Sequence, residues 1–285
     1  MSSSIFRKTF TALLAIALTA SVFTGCDVKA NLKVGSFKKK EDAAAQEKAL
    51  MEVERNNGLA AFKRKDFEIA FAHFTTAAER DDAEAQYMLA MCYGEGKGIE
   101  QDVAKSLEWA LKSAEQGYPK AQFVAGMSYM GGGKGIPKDV DKAKDWIGKS
   151  IDGLREAAEK GDIEAQSYLG LCYLEGFGVE KDRDRAIEYF RMAGEQGSGE
   201  AQFAIGMMYV QEKRLDEAVD WFRKAAGNDS YEAMLFMGRI YENGMDDIKP
   251  DKAEAEKWYK MAEAGTDPFI VNEAKSSLNR LRKKK

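Results

Sequence analysis

Apolar residues recur along most of this chain at the spacing of a helix that faces a core, and the recurrence is itself repeated. Residues 163–198 read IEAQSYLGLCYLEGFGVEKDRDRAIEYFRMAGEQGS. An apolar run ends at Tyr173, a loop with Gly176 and Gly178 follows, and a second apolar run ends at Gly197. The same order of run, loop and run appears in units 83–118, 119–162, 163–198, 199–230 and 231–266. A small residue opens each first run: Ala85, Ala121, Ala165, Ala201 and Ala233. Further on stand Ala90, Gly126, Gly170, Gly206 and Gly238, where a missing side chain lets a neighbouring helix approach, and then Tyr93, Tyr129, Tyr173, Tyr209 and Tyr241. The second run carries Trp109, Trp146, Tyr189, Trp221 and Trp258. Positions such as 85, 89 and 93 share one helical face, and no unit covers its own stripes, so stacked helix pairs are expected to build the core.

The residues between the runs agree. Gly117, Gly161, Gly197 and Gly265 fall where second helices should end, as left-handed C-caps. Asp102, Asp139, Asp182 and Asp251 precede second helices as N-caps. Two units depart from the pattern. Unit 119–162 is eight residues longer, with the excess in its second helix around Ile151 to Glu156. Unit 199–230 is four shorter and has a plain turn, Val210 to Asp216, in place of the Gly loop. Before the array, residues 41–82 read as another helix pair that resembles a tetratricopeptide unit, with an irregularity expected near Asn56-Asn57-Gly58. After it, residues 267–285 read as a capping helix whose stripe is Val271, Ala274, Leu278 and Leu281, ending in the basic Arg280, Arg282 and Lys283 to Lys285.

The recurring Ala-Gln-aromatic-x-x-Gly…Tyr…Gly-x-Gly…Asp…Lys/Arg-Ala…Trp…Glu-Gln-Gly of residues 83–266 resembles the Sel1-like repeat, a relative of the tetratricopeptide repeat. The resemblance implies an all-α, right-handed superhelical solenoid of antiparallel helix pairs that serves as a scaffold or adaptor in multiprotein assemblies. Its first helices would line the concave side. Pairs at i and i+4 lie nearly opposite the 85/89/93 stripe: Tyr87/Met91, Phe123/Met127, Ser167/Leu171, Phe203/Met207 and Leu235/Arg239. Tyr87, Met91, Phe123, Met127, Phe203 and Met207 are the candidate partner-binding residues, because aromatic rings with adaptable Met suit peptide or helix recognition. Packing against adjoining repeats is the other reading of these positions. The repeated Gln86, Gln122, Gln166 and Gln202 divide in the same way between loop support and groove hydrogen bonding.

The N-terminus has its own pattern. Arg7 and Lys8 precede the apolar, small Phe10 to Val22, too short to span a bilayer comfortably and suited to a signal-peptide core. Phe23-Thr24-Gly25-Cys26 resembles the lipobox of bacterial lipoproteins, although Phe23 stands where Leu is usual. The resemblance implies removal of residues 1–25 and lipidation of Cys26, hence a lipid anchor, a periplasmic body in the bacterial cell envelope, and residues 26–40 as a flexible tether. Asp27 leans towards inner-membrane retention.

Composition narrows the chemistry. Hydrophobic residues make up 45% of the chain and only 4 residues are Pro, which suits a folded helical body. Removing Arg7 and Lys8 with the leader takes the net charge from −4 to −6, so phosphate-backbone binding to nucleic acid is not expected. The single His73 and three Cys offer no catalytic set and no recognisable metal cluster, and no cofactor is expected. Cys92 and Cys172 stand at equivalent sites two units apart, beyond disulfide reach if helices pack roughly 8–10 Å apart. The expected function is therefore a non-enzymatic scaffold that binds protein partners in the envelope. A β-lactamase-like or cell-wall-active Sel1 protein and a peptidoglycan or polysaccharide binder are the alternatives.

Overall fold

The computed structural model describes residues 28–283 apart from 134, 246 and 266, with side chains from residue 45 onward. The expected leader and the lipidation residue Cys26 lie outside the described residues. The chain divides into residues 1–50 and residues 51–285. In the first unit the backbone is helical from Val28, as the opening part of α1 (Val28–Lys63). Residues 28–40, expected as a flexible tether, are thus helical: Ala, Leu and Lys are good helix formers and no Pro interrupts them. The helix also runs unbroken through Asn56-Asn57-Gly58. Gly58 is there for packing, since a Cβ would lie 2.6 Å from the ring of Phe74.

Residues 51–285 form an all-α stack. The end of α1 pairs with α2 (Phe67–Ala78). Five pairs follow: α3 (Ala83–Glu95) with α4 (Val103–Glu115), α5 (Pro119–Gly131) with α6 (Val140–Glu159), α7 (Ile163–Glu175) with α8 (Arg183–Glu195), α9 (Gly199–Gln211) with α10 (Leu215–Gly227), and α11 (Tyr231–Asn243) with α12 (Lys252–Glu263). α13 (Pro268–Lys283) packs on α12 and α11 and closes the stack. Each helix packs on its partner and on the next pair, which makes the solenoid of helix pairs that the repeats imply. The extra length of unit 119–162 is in α6, at 20 residues against 13 in α4.

Local chemistry sets the ends of these helices. Pro119 and Pro268 open α5 and α13, where the missing N–H costs nothing, and Pro137 and Pro250 lie in loops. Asp102, Asp139, Asp182 and Asp251 accept backbone N–H bonds at the starts of α4, α6, α8 and α12, as expected. First helices have caps too: Asp82, Asp162, Ser198 and Ser230 each accept from the N–H three residues on. Gly117, Gly161 and Gly197 take the left-handed conformation, with φ of 85°, 88° and 94°. Gly265 does not. A Cβ there would meet the Tyr231 ring at 2.8 Å, so this glycine makes room for a ring instead of reversing the chain.

The knob that locks each pair is not the aromatic that recurs in the second runs. Trp109, Trp146, Tyr189, Trp221 and Trp258 are only half-buried. The next residue in each second helix points at the small residue of the first helix. A Cβ on Gly126 would lie 2.5 Å from Ile147, on Gly170 2.7 Å from Phe190, on Gly206 2.5 Å from Phe222, and on Gly238 2.5 Å from Tyr259. Where the small residue is Ala90, the facing residue is Ala110, and both are buried. A large knob thus stands where the first helix offers glycine, and a small one where it offers Ala90. Burying a ring at this position contributes about 2 kcal/mol.

Candidate interaction surface

The first helices α3, α5 and α7 meet along an inner face. Tyr87 Oη lies 3.0 Å from Tyr168 Oη, and Phe123 stacks on Tyr168 with ring centroids 4.4 Å apart. The Tyr87 contact reaches two repeats along the chain, so the solenoid winds tightly. Lys120 stands beside them, with Nζ 2.7 Å from Glu164 and 3.0 Å from Asp162. Burial alone would lower its pKa, but the two carboxylates outweigh burial and hold it above the ordinary lysine range. Burial raises the phenols of Tyr87 and Tyr118, the latter to about 12.

Of the six candidate partner-binding residues, Tyr87 is 0% exposed and Phe123 3% exposed. Both are held in the inner aromatic contacts. Met91, Met127, Phe203 and Met207 are half-buried and keep part of their surface in solvent. Phe203 packs at 5.6 Å from Phe222 and 6.4 Å from Phe236. The structure therefore gathers the first two residues into contacts between repeats and leaves the other four partly open to solvent. Carboxylates of several first helices gather: Glu200 is raised above its usual range first by desolvation and then by Glu95, Glu232 and Glu164, which come from α3, α11 and α7.

The glutamines have a clear role. Gln86, Gln122, Gln166 and Gln202 are buried and donate to the carbonyls of Ala78, Ala114, Ala158 and Gly194 at the end of the preceding second helix. Three also accept from the next second helix, from Gln116, Gln196 and Asn228. One side chain thus spans three successive helices and satisfies orphan helix-end carbonyls. The second partner was legible in the Glu-Gln-Gly that closes two of the units, but only the fold shows that the two glutamines meet.

At the opposite edge, each loop is pinned where the N–H of Asp102, Asp139, Asp182, Arg214 or Asp251 bonds the carbonyl of Tyr93, Tyr129, Tyr173, Tyr209 or Tyr241 at 2.7–3.0 Å. A cation lies over four of these rings: Lys105, Lys142, Arg185 and Arg214. His73 Nδ1 is 2.6 Å from Glu54 Oε2, a contact that ties α2 to α1. Among the described residues no cluster of three or more His, Cys, Asp or Glu is placed to hold a metal ion, and no helix is long and apolar enough to cross a membrane. Cys92 and Cys172 are buried free thiols.

Comparison with known proteins agrees with this construction. The Sel1 repeat model matches residues 54–82, 83–118, 119–153, 163–198 and 232–267, and a tetratricopeptide repeat model matches 181–233. The unit without a Gly loop, α9 and α10, falls in the second match and outside the first. DAP3-binding cell death enhancer 1 of Mus musculus is 28% identical over 152 residues, which cover 53% of this chain and 28% of the relative. The chain thus spans less than a third of that relative's length. Sel1-repeat-containing protein YjcO of Escherichia coli K12 is 27% identical over 171 residues, 49% of this chain and 73% of the relative. Among solved structures, a Sel1 repeat protein from Oxalobacter formigenes is 32% identical, with a TM-score of 0.48, over 80% of this chain and 91% of that one. With family matches across more than half of its residues, the chain belongs to the Sel1 repeat family.

Proposed function

We propose that this chain is a non-enzymatic adaptor, lipid-anchored through Cys26 in the bacterial cell envelope, whose periplasmic solenoid binds protein partners. The observation that carries the binding reading is the apolar, partly open surface of Met91, Met127, Phe203 and Met207, on first helices that also carry the carboxylates Glu164, Glu200 and Glu232. Such a surface suits a partner segment with apolar anchors flanked by basic residues. The mouse relative is named for binding a protein partner, DAP3, which supports the same class of function for the shared repeats. The anchor rests on the sequence Thr24-Gly25-Cys26 behind an apolar leader. Several acyl chains, at roughly 0.8 kcal/mol per buried CH₂, make a stable anchor.

Two measurements test this reading. Labelled palmitate should enter the wild-type chain and not Cys26→Ala; equal labelling of both removes the anchor. Crosslinking in the intact envelope, read by mass spectrometry, should recover a discrete protein partner. Phe203→Ala and Met207→Ala should weaken that crosslink while the folded fraction, followed by circular dichroism, stays close to wild type. A crosslink that falls only in step with unfolding would assign these side chains to the core.

A further inference from the structure

One rung of the tyrosine–cation edge differs from the others. Tyr93, Tyr129 and Tyr209 each meet a single cation through the ring face. Tyr173 has Arg185 at its ring, 5.5 Å from the centroid, and its hydroxyl oxygen accepts from two guanidinium groups. Arg185 Nη1 is 3.3 Å away and Arg155 Nη2 is 3.4 Å away. Arg155 lies in the stretch of α6 that makes this helix seven residues longer than α4, so the second guanidinium comes from the unit's insertion.

The bonding leaves donors over. A phenol oxygen accepting from two guanidiniums has used its lone pairs and keeps only its O–H to give. That proton has no acceptor among the described residues. Arg155 uses Nη1 on Asp152 at 2.9 Å, and Arg185 uses Nε on Asp182 at 3.3 Å, so each guanidinium keeps further N–H groups. These groups border an open cavity of about 490 Å³ that Lys181 and Glu180 also line. The Tyr173 ring is rigidly held: it is buried and stacks parallel on Tyr189, with centroids 5.6 Å apart and an interplanar angle of 6°. Burial pushes the Tyr173 phenol up, but the two arginine bonds more than offset it.

We infer that this cavity is an oxyanion site that takes a phosphoryl group, with Arg155, Arg185 and the Tyr173 hydroxyl as its donors. The donors come from α6, α8 and the end of α7, three directions that suit the three free oxygens of a phosphate better than the two of a planar carboxylate. The carboxylates of Asp152 and Asp182 hold the guanidiniums in place and moderate the affinity. The site is separate from that apolar surface, and its test does not depend on the partner-binding reading.

Calorimetric titration of the full chain with inorganic phosphate and with glycerol phosphate, at constant ionic strength against chloride, tests the inference. Saturable binding of at least one anion is expected. Tighter binding of glycerol phosphate would identify an esterified group, such as a headgroup, as the source; tighter binding of inorganic phosphate would identify the free ion. Arg155→Gln and Arg185→Gln should each weaken binding about tenfold, the cost of one charge-assisted hydrogen bond. Tyr173→Phe keeps the buried ring and should weaken binding severalfold with an unchanged melting temperature. No saturable heat with either anion, or binding that survives all three substitutions, overturns the site.

Discussion

Single side chains in this array are specialised by burial more than by chemistry. Cys92 and Cys172 show the point: identical positions in two repeats, both buried, both free. Loss of hydration pushes each thiol up to about 12, from an ordinary value of 9.0. The thiolate is the reactive species, so both groups are inert in the folded chain. Iodoacetamide at pH 8 should leave residues 92 and 172 unmodified in the native protein and alkylate both in denaturant, as mass spectrometry would read. The sign for stability follows from the same shift. The folded state holds these protons more tightly than the unfolded state, so stability is full below pH 9 and falls as pH rises from 9 towards 12. The glutamines are the polar counterpart, each buried with its amide donating to a helix-end carbonyl.

At the scale of the helix pair, the controlling feature is one small residue facing one large one. Gly206 and Phe222 are typical, and Ala90 with Ala110 is the exception that reveals the rule. Gly206→Ala drives a methyl into the Phe222 ring and should cost about 1–3 kcal/mol, the usual penalty of overpacking. Phe222→Ala should cost about 3–5 kcal/mol, because it leaves a cavity. The two together recreate the Ala90/Ala110 pair, so the double variant should lose clearly less than the sum. Urea unfolding of the four proteins gives the coupling energy. Strict additivity would mean that the two side chains do not compete for the same space.

At the scale of the whole stack, the open end needs a lid, and α13 supplies it. Its buried side is Ile270, Ala274, Ser277, Leu278 and Leu281. The sequence placed Val271 on that side, one residue out of register. Arg280, read from sequence as part of a free basic end, is in fact an internal tie. It holds Glu242, whose side chain is 2% exposed, at 2.6 and 2.8 Å, while Tyr259 donates to the same carboxylate at 2.9 Å. Arg280→Met should destabilise the stack by roughly 3 kcal/mol, since it takes a charge-assisted pair away from a buried carboxylate. A denaturation midpoint equal to wild type would show that α13 docks without this pair. Lys65, between α1 and α2, and Asp229, between α10 and α11, approach to 3.5 Å, but both are well exposed and such a pair adds little.

The sequence by itself determined the helix count of the repeats, their loops, the caps at Asp102, Asp139, Asp182 and Asp251, and the lengthened second helix of unit 119–162. These follow from short-range rules: period, capping chemistry and turn geometry act within a few residues, so a local reading reaches them. Only the tertiary structure decided which face of each second helix goes inward. A half-buried Trp and a fully buried Phe one position later look alike in a pattern, and the difference of a helical step is fixed by the glycine they meet on another helix. The same limit applies to Tyr87 and Phe123, which the winding of the solenoid carries into contact with Tyr168, and to Arg155, whose partner Tyr173 lies in the following repeat. Contacts between repeats depend on how far the stack turns per unit, and that quantity is set by the packing of all the units together.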